Sequence, residues 1–216
     1  MRLILASASP ARLTVLRAAG VQPIVRVSGI DEHALAAALP DASPQELVTA
    51  LARAKAGAVA TQVAAEHPES VIVGCDSMLY IGGELVGKPG RADVARQRWQ
   101  AMAGGTGELL TGHALVRLHA GVVSASTSGV ETTLIRFGTP TPEEIEAYVG
   151  TGEPLKVAGG FTLDGLGGWF VTGIDGDPSS VMGISLPLTR GLLSEVGVPV
   201  ISLWNGPSRL TGPPIG

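Results

Sequence analysis

The chain has 216 residues, a length that suits one domain of two lobes, and its 45% hydrophobic content excludes a disordered chain. The formal net charge of −4 leaves no basic excess for neutralising nucleic-acid phosphates, so no nucleic-acid partner is expected, although a small anionic ligand needs only a few local cations. One cysteine, Cys75, excludes an intrachain disulfide and a cysteine-based zinc site; no apolar run approaches the roughly 20 residues of a membrane span, and a soluble, cytoplasmic protein without a membrane partner is expected.

Residues 2–6 read as a short buried strand. Ser9-Pro10 then opens a helix, with Ser9 as its cap and Pro10 in the first helical position, and Gly20 stops it. Ser43-Pro44-Gln45-Glu46 is a capping box before a long helix with Leu47, Leu51, Ala54 and Ala58 on one face. Val71 to Cys75 has the β-branched run of a buried strand. Met78 to Ile81 and Glu84 to Val86 read as a hairpin about Gly82-Gly83, and residues 92–103 as a helix. From Leu109 to Phe137 the pattern turns to strands, with Gly121 and Gly129 marking turns. Thr141-Pro142-Glu143-Glu144 is a second capping box, before a helix ending near Gly150. Leu166 to Ile174 reads as one more strand and Leu186 to Val196 as the last helix. Residues 1–204 are expected to form a single domain of two lobes, and 205–216, rich in Gly and Pro without periodicity, a poorly ordered tail. The mixture implies an α/β fold on a mixed sheet rather than a doubly wound parallel one.

Five segments carry candidate chemistry. Ser7-Ala8-Ser9-Pro10-Ala11-Arg12 joins a strand to a helix N-terminus, where free N–H groups, two hydroxyls and an arginine fork suit an anion; a well-capped helix with a surface arginine is the plainer reading. Gly74-Cys75-Asp76-Ser77 puts a carboxylate at a strand end, able to hold Mg²⁺, to activate water, or simply to cap a turn. Gly82 to Lys88 matches the spacing of a P-loop, but Pro89 stands where Ser or Thr would hold the metal, so Lys88 is a point charge for a phosphate or a turn lysine in water. The glycine-rich stretch from Glu153 to Gly168 suits a backbone approaching a ligand, with Phe161 better read as core than as a base-stacking ring. Asp175-Gly176-Asp177 reads as a plain turn. The four histidines lack metal-ligand spacing and read as surface or structural residues, and Cys75 as a small buried one.

The order of these segments resembles the Maf family. A strand ending in S-x-S-P-x-R is followed by Ile30-Asp31-Glu32, a helix carrying Ala54-Lys55-Ala56, then Val73-Gly74-Cys75-Asp76-Ser77 and Leu85-Val86-Gly87-Lys88-Pro89. Thr111-Gly112-His113, Glu153-Pro154, Ala158-Gly159 and Gly183-Ile184-Ser185-Leu186-Pro187 complete a match over nearly all of residues 2–197. The resemblance implies an elongated mixed β-sheet with flanking helices and two lobes around a central cleft, as in inosine-triphosphate pyrophosphatases. It implies Mg²⁺- or Mn²⁺-dependent hydrolysis of a nucleoside triphosphate to the monophosphate and pyrophosphate, by a homodimer. Carried over by position, Asp76 is the catalytic residue, Ser7, Ser9, Arg12, Lys55, Lys88 and Asp164 bind the substrate, and Glu32 and Asp76 hold the metal. The rival reading is a non-catalytic nucleotide-binding regulator of septum formation. Three departures stand out: Ala11 where the family usually has a second arginine, Lys156-Val157 where many members have an Asp-Lys or Asp-Cys pair, and Asp164 where subgroups carry Gln or Glu.

Overall fold

The computed structural model describes residues 1–204, and the expected tail lies outside the described residues. Strands β1 (Arg2–Leu5), β2 (Ile24–Val25), β3 (Ser70–Ile81), β4 (Glu84–Val86), β5 (Thr106–His119), β6 (Val122–Phe137) and β7 (Val171–Asp175) form one sheet in the order β2-β1-β3-β5-β6-β7, with β4 added to β3. β1 is parallel to β2 and β3, and the other pairings are antiparallel, so the sheet is mixed as expected. Around it lie helices α1 (Pro10–Ala18), α2 (Glu32–Ala37), α3 (Pro44–Val63), α4 (Ala92–Met102), α5 (Pro142–Gly150), α6 (Pro178–Val181) and α7 (Leu186–Glu195). Both predicted capping boxes form: Ser43 with Glu46 starts α3, and Thr141 with Glu144 starts α5.

Alternation along β3 and β5 sorts their side chains onto two faces. Leu3, Leu5, Val71, Val73 and Leu115 pack one face against Val15 and Leu16 of α1 and Leu192 and Leu193 of α7. Ile4, Ile72, Ala114 and Val116 pack the other against Ala52, Ala56, Val59 and Val63 of α3. Further along the same long strands Leu79 and Leu109 enter a second lobe, built with α4 and α5 around Trp99. The Trp99 ring is fully buried and meets Phe137, Tyr148 and Phe170 edge-on at 5.9, 5.5 and 5.6 Å. Each such pair is worth about 1 kcal/mol beyond burial. Two lobes thus share continuous strands.

The structure departs from the sequence reading in four places. The run 71–75 and the first arm of the hairpin are one unbroken twelve-residue strand, β3, with Gly74 and Asp76 inside it. Gly129 marks no turn; it lies within β6 opposite His113, where a Cβ would sit 3.2 Å from Leu188, so it is small to admit α7. Residues Leu166–Phe170 form a 3₁₀ turn and only Val171–Asp175 a strand, because glycines at 165, 167 and 168 weaken extended pairing. The buried stripe of α3 is Val48, Leu51, Ala52, Lys55, Ala56, Val59, Ala60 and Val63, with Leu47, Ala54 and Ala58 only half-buried. An alanine-rich helix has little apolar contrast between its sides, and the sheet chooses the side. A Cβ at Gly74 would sit 2.5 Å from the Ala52 carbonyl, and one at Gly112 would strike the Val48 carbonyl. Two missing side chains let α3 lie directly on β3 and β5, and this contact carries Lys55 into the interior.

Candidate active site

β5 occupies one edge of β3 from Ser70 to Tyr80. On the other edge β1 pairs with Ser70 to Val73, and β4 with Leu79 to Ile81. Among the described residues, 74–78 therefore have no strand partner on that edge, which leaves a notch between β1 and β4. Gly74-Cys75-Asp76-Ser77 lines it from mid-strand, not from a strand end. Asp76 falls on the α3 face and Ser77 on the α1 and α7 face.

On the α3 face, Lys55 Nζ lies 2.6 Å from Asp76 Oδ1 and 2.9 Å from Glu32 Oε1. Lys55 and Asp76 are 7% and 5% exposed, so this ion pair is desolvated and strongly coupled. Asp76 Oδ2 is buried and accepts no hydrogen bond from the described residues. Burial pushes the Asp76 carboxyl above the usual carboxylate range, against the pull of Lys55 and Arg12 and with the help of Glu32. Glu32 itself is half-exposed at the start of α2, a helix that buries no residue and is capped by Asp31, which accepts from the Ala34 N–H at 2.9 Å.

On the opposite face the Arg12 guanidinium is held at three corners. Its Nε donates to the Gly183 carbonyl at 2.7 Å, Nη1 to Ser7 Oγ at 3.0 Å and Nη2 to Ser77 Oγ at 3.1 Å. Thr111 Oγ1 donates to the Ser180 carbonyl at 3.2 Å, which spends its proton. The 3.0 Å Ser77–Thr111 bond must then run from the Ser77 hydroxyl to Thr111, giving a directed chain from Arg12 through Ser77 and Thr111 to Ser180. Ser7 Oγ accepts from Arg12 and from the Ser9 N–H at 3.1 Å, so its own proton has no described partner. Of the five N–H groups of a guanidinium, two on Arg12 are likewise unused. These three donors sit at the N-terminus of α1, and together they suit an anion. Ser9 is occupied as the N-cap, accepting from the Arg12 N–H at 3.5 Å.

The second lobe contributes differently. Lys88 follows β4, at the far side of the notch, and is exposed without a described partner; Gly82 and Gly83, at φ +60° and +84°, make the β3–β4 turn and no phosphate loop. Asp164 and Lys156 are also exposed. The loop bearing Asp164 is fastened by Glu153, whose carboxylate accepts from Tyr148 and Thr162 hydroxyls at 3.1 and 2.5 Å and from the Leu166 and Gly167 N–H groups at 3.2 and 3.1 Å. Phe161 is core, edge-on to Phe137 at 5.1 Å, and Asp177 caps α6. Cys75 is fully buried, and desolvation pushes its thiol up to about 11, which disfavours the thiolate and fits the reading of a small buried residue. A groove of about 800 Å³ beside the α2–α3 connection, lined by Leu39, Gln45, Thr49, Arg53 and Val130, contains none of the predicted site residues.

The structure thus gathers Glu32, Lys55 and Asp76 on the α3 face of β3 and Ser7, Ser9 and Arg12 on the opposite face, while Lys88 and Asp164 stand on the other lobe with no hydrogen bond or ion pair to either group among the described residues. Sequence reasoning overlooked Ser77, Thr111, the Gly183 carbonyl and the staple Glu153. Their signal was present only as family segments, since the Ser77–Thr111 register joins residues 34 apart in sequence.

Among the described residues no helix is long and apolar enough to cross a membrane. A sequence model of the Maf-like proteins matches residues 2–196. The chain is 64% identical to a nucleoside triphosphate pyrophosphatase of Saccharopolyspora erythraea over 96% of this chain and 99% of that one. It is 58% identical to the protein so named in Nocardia farcinica, over 96% and 98%, and 55% identical to that of Mycobacterium marinum, over 94% and 96%. By these sequence matches, the chain belongs to the Maf family.

Proposed function

We propose that the protein is a nucleoside triphosphate pyrophosphatase, adding water across the α–β anhydride to give a nucleoside monophosphate and pyrophosphate. The observation that carries the reading is Asp76: a buried carboxylate at mid-strand, paired with Lys55 through one oxygen and without a described partner on the other, while Arg12 and Ser7 hold unused donors on the opposite face of the same strand. A buried carboxylate with an oxygen to spare can take a proton from water, and general-base help of this kind is worth about 10²–10⁴ in rate. Ser7 and Arg12 bind phosphate oxygens, and Lys55, next to the carboxylate, neutralises charge that grows as the anhydride opens.

A divalent cation fits these residues. No group of three or more His, Cys, Asp or Glu that could hold a metal occurs among the described residues, but Mg²⁺ is commonly held by one or two carboxylates with substrate phosphates completing the shell. Asp76, through its orphaned Oδ2, and Glu32 would supply the carboxylates. Such an ion supplies charge neutralisation on the phosphates. In the same reading Lys88 and Asp164 meet the substrate from the second lobe, Asp164 near the base, and the working unit is a homodimer in the cytoplasm.

Pyrophosphate and monophosphate measured across a panel of ordinary and modified triphosphates, with Mg²⁺ or Mn²⁺, test the reading. Equal yields of the two products are expected. Tight binding of triphosphates with neither product after hours would instead favour the regulator of septum formation.

A further inference from the structure

His113 serves no role in the mechanism above, yet it is fully buried beneath the site. Its Nδ1 lies 2.9 Å from the Thr111 carbonyl, which can only accept. Its Nε2 lies 2.8 Å from the Ser185 N–H, which can only donate. The two partners together fix the neutral ring protonated on Nδ1.

The bond to Ser185 pins one end of a short turn. Gly183 N–H donates to the Ser180 carbonyl at 2.8 Å and Ile184 N–H to the Ser179 carbonyl at 3.2 Å. Gly183 takes φ +103°, a left-handed geometry, and its carbonyl receives Arg12 Nε at 2.7 Å. A Cβ on Gly183 would lie 3.1 Å from that same Nε, so the turn and the guanidinium are in full contact. A second support of Arg12, through Ser77, passes by the Thr111 hydroxyl to the Ser180 carbonyl, and the Thr111 carbonyl receives the histidine proton. Two of the three supports of the guanidinium therefore converge on Thr111-Gly112-His113 in β5, the third being Ser7.

Resting on the reading of Arg12 as a phosphate-binding residue, we propose that His113 is a positioning residue for that arginine. As a neutral Nδ1–H tautomer it holds the Gly183–Ser185 turn, and the turn aims the guanidinium at the triphosphate. The role needs an acceptor at the Nε2 position and not a titrating group. Asparagine reaches only as far as Nδ1, whereas the glutamine Oε1 reaches the place of Nε2.

The test is a double-mutant cycle of His113→Asn with Arg12→Ala, read as KM and kcat for a triphosphate that the protein hydrolyses. H113N is expected to lower kcat/KM about tenfold, most of it in kcat, to have no further effect in the R12A background, and to be largely reversed when the residue is Gln instead. Additive losses in the double variant overturn the proposal, because they place the effect of His113 elsewhere. Unchanged kinetics in R12A alone would instead overturn the underlying reading of Arg12. If H113N does not fold, H113Q takes its place: kcat/KM within about threefold of the unmodified protein supports the proposal, and a tenfold fall overturns it. Nitrogen NMR of the unmodified protein gives a variant-free check, since a ring protonated on Nε2 contradicts the geometry on which the positioning depends.

Discussion

The two lobes present their charges to the notch in opposite ways. Arg12, Lys55 and Asp76 in the first lobe are less than a tenth exposed and bound by named partners, whereas Lys88, Lys156 and Asp164 in the second are exposed, and Lys88 has no described partner. A buried, buttressed charge has its orientation settled before a ligand arrives, so it can stabilise charge that develops only during reaction. An exposed side chain keeps its rotamer freedom and its water, and contributes mainly binding. The contrast assigns phosphate chemistry to the first lobe and capture and selection to the second.

The largest way to break this contrast is to lift α3 off the sheet. Gly112→Ala places a methyl on the Val48 carbonyl, and we expect a loss of about 3 kcal/mol or more in chemical unfolding, with Lys55 displaced and activity gone. A fully stable, active variant would mean that the close contact of α3 does not set the site. Arg12→Ala should lower kcat/KM about 100-fold, since it removes a preorganised donor pair near the phosphates. Stability should follow pH through His113. Burial, with Arg12 adding to it, lowers the ring to about 4, against the pull of the Thr111 carbonyl and of Asp177. Its folded pKa lies below the unfolded one, so the unfolded chain binds more protons between pH 6.5 and 4 and stability falls as pH drops through that window. The loss is roughly 1–3 kcal/mol and should shrink in His113→Gln, as unfolding curves at several pH values would reveal. Lys88→Ala is the mildest: KM should rise about fivefold to tenfold at low salt, less at high salt, with kcat nearly constant. A kcat loss as large as that of Arg12→Ala would erase the distinction between the lobes.

The same contrast explains what could be read from sequence. Local chemistry was legible: Ser9, Ser43 and Thr141 announced their helices, and the Gly82-Gly83 turn was recognisable. The continuity of β3 was not, because Gly74 and Asp76 interrupt its apolar pattern for the sake of α3 and of the site. Nor was the depth of Lys55, since an alanine-rich helix does not declare its inner side. Individual site residues could be named only because their order resembles a family; the bonds that fix Arg12 join positions 12, 77, 111 and 183, and no local pattern connects them. His113 read as structural, which its burial supports, but the turn it holds belongs to tertiary contact alone.

The most direct test is pyrophosphate release from a triphosphate with Mg²⁺, measured side by side for the unmodified protein and Asp76→Asn. The account predicts stoichiometric release by the former and a kcat about 10²–10⁴ lower in the variant, with triphosphate binding retained. Turnover in Asp76→Asn equal to that of the unmodified protein would contradict it, and would move the chemistry away from the Asp76–Lys55 pair.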